Sequence, residues 1–149
     1  MTDETIVLEG RPVVDGYIEA EAIVTDETIS GWGGVDPEHG TIIEMRHDLH
    51  GESFTDKVLV FRGAKGSSGW SSVFHTTRLA DTAPAAMIYE ETTTKVALGA
   101  VVTRVPAVTD LDEDPTEIID SGDLVAVDGD EGIVTITKRA GSGDGDVPE

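Results

Sequence analysis

The 149-residue chain contains no cysteine. That excludes disulfides, thiolate zinc sites and an iron–sulfur cluster ligated in the usual way by this chain alone. No apolar run approaches the roughly 20 residues of a membrane-spanning helix, so no membrane span is expected. The opening Met1-Thr2-Asp3-Glu4 is acidic. It lacks the basic and apolar regions of an export signal, so a cytoplasmic location is expected. Positive charge is also scarce. Lysine occurs only at 57, 65, 95 and 138, and 10 Lys+Arg face 30 Asp+Glu, a net charge of −20. A polyanion of this strength repels nucleic-acid backbones and acidic membrane surfaces, which excludes both as partners.

What is present argues for a folded domain. Hydrophobic residues make up 38% of the chain and recur in strand-length blocks, against the pattern of a disordered acidic segment. The length fits one domain, and 17 glycines predict many turns. An acidic shell of this density is expected where salt is concentrated. At 1 M the Debye length is about 3 Å, and self-repulsion is screened. The sequence therefore reads as a halophilic protein.

Thr5–Leu8 starts β-rich, and Val13–Val24 reads as a strand or a bent pair. Ile29–Gly40 is loop-like, and Ile42-Ile43 begins a short extended piece. Lys57–Phe61 reads as a buried strand, Gly63–Gly69 as a turn and Ser71–Ala80 as a helix, with Val73, Phe74, Thr77 and Leu79 on or near one side, that Pro84 closes off. Ala85–Tyr89 is a second buried strand, Thr94–Gly99 one or two helical turns, and Ala100–Val105 a third strand ended by Pro106. Residues 109–117 form an acidic surface loop. Leu124–Val127 and Ile133–Thr137 flank Asp128-Gly129, a strong hairpin signal. The tail from Gly141 is polar and expected to be disordered. The order predicts a mixed α/β domain over residues 1–140, with β structure added at both ends, and an acidic tail over 141–149.

Three stretches carry candidate chemistry. Lys65-Gly66-Ser67-Ser68-Gly69 lies between a strand and a helix, where free backbone N–H groups and the positive helix end converge. Glycine lets an anion approach, and serine donates hydrogen bonds or acts as a base if its alkoxide is stabilised. Arg62 and Lys65 favour that negative charge, and no carboxylate occurs between Lys57 and Leu79. The segment has neither the Walker spacing nor the Gly-x-Ser-x-Gly elbow. The plain alternative is an ordinary helix cap with Ser at the cap. Trp32-Gly33-Gly34-Val35-Asp36-Pro37 reads either as a substrate-side loop or as a tight turn needing glycine dihedrals. His47-Asp48-Leu49-His50 lacks the helix that would aim both rings at one metal, so it reads as a surface or satisfied pair. The acidic runs Asp110–Asp114 and Asp128–Glu131 lack the closing Glu of a calcium loop.

Taken together, Gly10-Arg11, Trp32-Gly33-Gly34-Val35-Asp36-Pro37, Gly40, His47, Lys57-Val58-Leu59-Val60, Gly66-Ser67-Ser68, Ala83-Pro84-Ala85-Ala86 and Gly99-Ala100 resemble the small subunit of the aconitase X group, over residues 6–137. The resemblance implies the swivelling β/β/α domain of aconitases as a separate polypeptide. It implies a hydro-lyase subunit, active only with a cysteine-bearing aconitase X large subunit that holds a four-iron four-sulfur cluster. The zero cysteine count agrees with that division. In archaeal members the reaction dehydrates (R)-5-phosphomevalonate to trans-anhydromevalonate 5-phosphate in the mevalonate pathway. Related members dehydrate cis-3-hydroxy-L-proline, and a swivel module that only binds an anion or partner is the non-catalytic alternative. By position, the resemblance implies Ser67 as the proton acceptor, with Gly66, Ser68, Lys65, Arg62, Gly33 and Gly34 around a small anionic substrate. The group's usual pattern has Arg at 65, Gly at 70 and an aromatic at 31. Here these are Lys65, Trp70 and Gly31, and Lys offers a point charge instead of a planar fork.

Overall fold

The computed structural model describes residues 4–31, 33–65, 69–91 and 93–138. An eight-stranded sheet dominates. Its strands are β1 (Glu4–Glu9), β2 (Arg11–Val14), β3 (Tyr17–Val24), β7 (Val58–Phe61), β9 (Ala86–Tyr89), β10 (Ala107–Thr109), β11 (Leu124–Asp128) and β12 (Ile133–Lys138). The spatial order is β1-β12-β11-β3-β7-β9-β10-β2, and two small pairs lie outside it, β4 (Ile29–Ser30) with β8 (Ala64–Lys65) and β5 (Val35–Asp36) with β6 (Thr41–Ile42). β3, β7, β9 and β10 run parallel, and the remaining pairs are antiparallel. Between the two outermost strands stands only Gly10, so the sheet must curl until its edges meet. Gly10 donates from its N–H to the Gly132 carbonyl at 2.8 Å. A Cβ there would overlap the Thr109 carbonyl, so closure requires glycine.

Curling gives the central strands two buried faces, which explains why VLVF and AMIY are apolar without alternation. Val58, Val60, Ala86 and Ile88 point into the curl with Leu8, Val125, Val127, Val134 and Ile136. Leu59, Phe61, Met87 and Tyr89 point outward and are covered by α1 (Trp70–Leu79) and α2 (Thr94–Thr103). Two β layers and one α layer result, the β/β/α architecture expected.

α1 buries Trp70, Val73, Phe74 and Thr77, the i, i+3, i+4, i+7 stripe of one helix face. It ends at Ala80, and Asp81 turns the chain away with φ 62°. α2 corrects the sequence reading. Ala100–Thr103 continues the helix instead of forming a strand, and the next parallel strand, β10, begins after Pro106, at Ala107. Local β-branched propensity is overruled by tertiary packing. The Thr93 side chain caps the helix by accepting from the Val96 N–H at 3.3 Å. Val96 and Ala100 are fully buried, and at Gly99 a Cβ would overlap the Trp70 ring. Arg104 then stops the helix in the left-handed region.

The acidic stretch 109–117 is also not all loop. It takes in the end of β10 and most of the one-turn α3 (Pro115–Ile118), which Asp114 caps by accepting from the Thr116 N–H at 2.9 Å. The C-terminal hairpin forms as expected, with Asp128 accepting from the N–H groups of Asp130 and Glu131 across its turn. The tail from Gly141 lies outside the described residues.

Candidate functional site

The parallel strands β3, β7 and β9 end on one rim of the sheet, the side where loops of α/β folds gather their functional groups. From β7 the chain passes Arg62 and Gly63 into the two-residue β8 (Ala64–Lys65), and α1 starts at Trp70. β8 lies parallel to β4 (Ile29–Ser30), with Ser30 opposite Lys65. The glycine turn after β4 therefore sits beside the Lys65 segment, although the two are far apart in sequence.

Within that turn, Gly34 and Val35 both donate to the Gly31 carbonyl at 3.1 Å. Gly33 has φ +82°, and a Cβ there would meet nothing within 4 Å. At Gly34 a Cβ would overlap Ser30, so this glycine serves the turn itself. Gly33 leaves open backbone next to the Lys65 segment, and Gly34 shapes the turn that presents it. Gly66, Ser67 and Ser68 lie outside the described residues, as does Trp32. They join two placed ends: Lys65 on β8 and Gly69 at the start of α1. Gly69 occupies the cap position of α1.

Trp70 has a structural part in this arrangement. Its ring is buried, stacks on Phe74 at 4.3 Å and on Phe61 at 6.0 Å, and covers Gly99. The indole N–H donates to the Ile29 carbonyl at 2.8 Å. The first residue of α1 is thus tied to β4, and both arms of the candidate site are held together. Gly31 lies against it: a Cβ at Gly31 would come within 3.0 Å of the Trp70 Cα. Trp70 and Gly31, two of the three positions at which the resemblance leads one to expect another residue, are spatial neighbours, a bulky ring at 70 beside a missing side chain at 31.

The cations near the site have partners that a linear reading does not reveal. Lys65 Nζ donates to Glu44 Oε2 at 2.8 Å. Arg62 Nε donates to the Asp26 carbonyl at 2.7 Å, and its guanidinium stands 3.9 Å from Glu91. The carboxylate-free stretch in sequence is therefore not carboxylate-free in space. Glu44 is the residue sequence reasoning missed, and no local signal marks it. Its other oxygen, Oε1, is buried with no hydrogen-bond partner among the described residues. Behind Arg62 a cavity of about 340 Å³ is lined by Thr25, Asp26, Asp48, Asp114 and Thr116. At its edge the Glu90 carboxyl is held above the usual range, first by burial and then by the Asp114 charge.

Among the described residues the donor set does not fit an iron–sulfur cluster, and the two histidine–carboxylate groups, Glu27/His47/Asp48 and Asp36/Glu38/His39, are engaged in contacts within the protein. There is no cysteine. His47 is buried with both ring nitrogens engaged: Nε2 donates to the Thr28 carbonyl at 3.1 Å, and Nδ1 accepts from the Leu49 N–H at 3.1 Å. It is a satisfied core histidine, and His50 is exposed. Asp36, Glu38 and His39 also cluster, but Asp36 and His39 are consumed in an exposed pair at 2.8 Å.

Comparison with known proteins adds four findings. The family model described as the aconitase X swivel domain matches residues 7–136. The phosphomevalonate dehydratase small subunit of Methanosarcina mazei is 40% identical over 134 residues, covering 90% of this chain and 93% of that one. The protein of the same name from Pyrococcus furiosus is 40% identical over 132 residues, covering 89% and 96%. A crystal structure of Thermococcus kodakaraensis aconitase X in its holo form superposes with a TM-score of 0.83 at 38% identity, covering 88% of this chain and 98% of that one.

Proposed function

The chain belongs to the aconitase X swivel-domain family, and from that premise we propose that it is the small subunit of a phosphomevalonate dehydratase, a hydro-lyase. The observation that carries this reading is the end-to-end match, at about 40% identity, to small subunits bearing that name in Methanosarcina and Pyrococcus. Those names support phosphomevalonate as the substrate and lend nothing to cis-3-hydroxy-L-proline.

The reaction removes a proton from one carbon and hydroxide from its neighbour, and a carbon–carbon double bond forms with release of water. Ser67 takes the proton. The junction between β8 and α1 suits this, because free N–H groups at the start of α1 stabilise an anion. The resemblance assigns Gly66 and Ser68 to substrate-anion binding beside Ser67; Gly33 leaves backbone accessible on the turn after β4, and Gly34 shapes that turn. Lys65 and Arg62 supply positive charge that favours the serine alkoxide and the substrate phosphate. Each is shared with a carboxylate, so substrate anion competes with Glu44 for Lys65 and with Glu91 for Arg62.

The partner is a large subunit, and the four-iron four-sulfur cluster resides there, since this chain offers no thiolate. The cluster's chemistry, when bound, is Lewis-acid assistance to the departing hydroxyl. The acidic shell adapts the subunit to a salt-rich cytoplasm. No helix among the described residues is long and apolar enough to cross a membrane. Replacing Ser67 by Ala tests the site: the variant should join the large subunit normally and lose turnover. Near-normal turnover would remove Ser67 from the mechanism.

A further inference from the structure

The loop after β6 (Thr41–Ile42) borders the candidate site and carries chemistry that this chain leaves unused. The Ile43 N–H donates to the Gly34 carbonyl at 2.9 Å, which joins the loop to the glycine turn. Glu44 reaches Lys65. Next to that ion pair, Ile43 is 43% exposed and Met45 78% exposed. Arg46 is exposed and has no ion-pair partner among the described residues, in a chain with 30 acidic side chains. A lone guanidinium beside two solvated apolar side chains is an unusual patch on such a surface.

The loop is also rigid where it matters. The His47 N–H donates to the Glu44 carbonyl at 3.2 Å. The buried His47 ring fastens the loop to Thr28, and the Thr25 hydroxyl donates to Asp48 at 2.6 Å. A backbone already fixed in this way loses little further freedom when the loop is covered. Met and Arg are among the residue types enriched at interfaces.

We propose that Ile43, Met45 and Arg46 form a docking surface for the large subunit, which meets them with an apolar patch and a carboxylate opposite Arg46. This rests on the small-subunit reading above and adds the face that does the docking. Charge complementarity selects the occupant. A second copy of this chain would bring another −20, whereas a partner presenting one carboxylate to the lone arginine meets an attractive spot. The position selects it too, because the patch adjoins the segment that must face the partner's substrate.

The test uses the full chain and the full large subunit, with affinity measured calorimetrically in molar KCl. Met45→Glu should weaken association at least about tenfold, the minimum for loss of a central interface contact. Met45→Ser, which adds no charge, should move it the same way by less. Arg46→Glu should weaken association more as salt is lowered, since exposed charge pairs are screened in strong salt. Val7→Glu and Val101→Glu alter exposed apolar residues elsewhere and should bind as the wild type does. Unchanged affinity in Met45→Glu, or equal weakening in Val7→Glu or Val101→Glu, overturns the proposal. So does a self-dimer of the isolated chain that Met45→Glu disrupts. If wild-type chain and large subunit do not associate at all, the small-subunit reading falls with it. If they associate and only the loop variants are silent, the docking face alone is wrong.

Discussion

Trp70 offers a sharp test of how the site is held. Its ring fills the space between α1, α2 and β7, and its N–H occupies the Ile29 carbonyl on β4. Truncating a buried tryptophan to alanine costs about 3–5 kcal/mol through lost transfer energy and the cavity left behind. A domain of this size has about 5–15 kcal/mol in total. Trp70→Ala should therefore fold only marginally. With a urea slope of about 2 kcal/mol per molar, its midpoint should fall by about 2 M. Trp70→Phe keeps most of the ring and orphans the Ile29 carbonyl, a cost of about 1–3 kcal/mol. Its midpoint should drop by about half as much. The assay is urea unfolding in molar KCl, followed by far-ultraviolet circular dichroism. In the assembled enzyme, Trp70→Phe should lower kcat more than it raises KM, because the start of α1 loses its tether to β4. A midpoint within about 0.5 M of wild type for Trp70→Ala would refute the reasoning, since a ring packed as described is not removed so cheaply.

Three further outcomes are expected. Lys138 Nζ donates to the Ile118 carbonyl, Asp120 and the buried Asp123, so Lys138→Met should destabilise the chain by about 3 kcal/mol by stranding Asp123. Burial opposes the Lys138 charge, but the hydrogen bonds to Asp120 and Asp123 outweigh it and raise its pKa. The contribution is therefore complete below pH 10.5 and lost as pH rises through the raised value, which alkaline unfolding of wild type and variant should show. The hydrogen bond that the His39 ring donates to Asp36 holds His39 above 6.5, and the Asp36 carboxyl is lowered in return by His39. An NMR titration should place His39 above that value, and Asp36→Asn should bring it back; this exposed pair stands below pH 6.5 until Asp36 protonates, and weakens as pH rises through the His39 pKa. Finally, the net charge of −20 predicts that the chain loses structure in dilute buffer and regains it in molar KCl. A circular dichroism spectrum independent of salt would remove the halophilic reading.

The sequence announced those elements whose cause is local. VLVF and AMIY are buried on both faces and show it as unbroken apolar runs. Asp128-Gly129 marks its hairpin, and Val73, Phe74 and Thr77 mark the covered face of α1, whereas Leu79, expected on the same side, is exposed at the helix end. Where the cause is distant, the reading failed or stayed silent. AVVT looks like a strand, and it is helical because Trp70 packs on Gly99 and Thr93 caps the start. Nothing local predicts that Ser30 lies opposite Lys65, because a two-residue parallel bridge leaves no periodicity to detect. The Lys65–Glu44 pair was hidden for the same reason, and it changes the electrostatic argument. A stretch without acid in sequence acquired acid by folding. The family resemblance was legible because it rests on glycines and prolines spread along the whole chain, positions where backbone geometry constrains the residue type.

The central claim is that this chain completes a phosphomevalonate dehydratase. The most direct measurement is substrate dehydration followed by NMR, under anaerobic conditions in molar KCl, with the cluster-loaded large subunit alone, this chain alone, and both together. The account predicts vinylic product signals only in the third sample. Product from the large subunit alone at an equal rate would contradict it, and so would an associated pair that leaves phosphomevalonate unchanged.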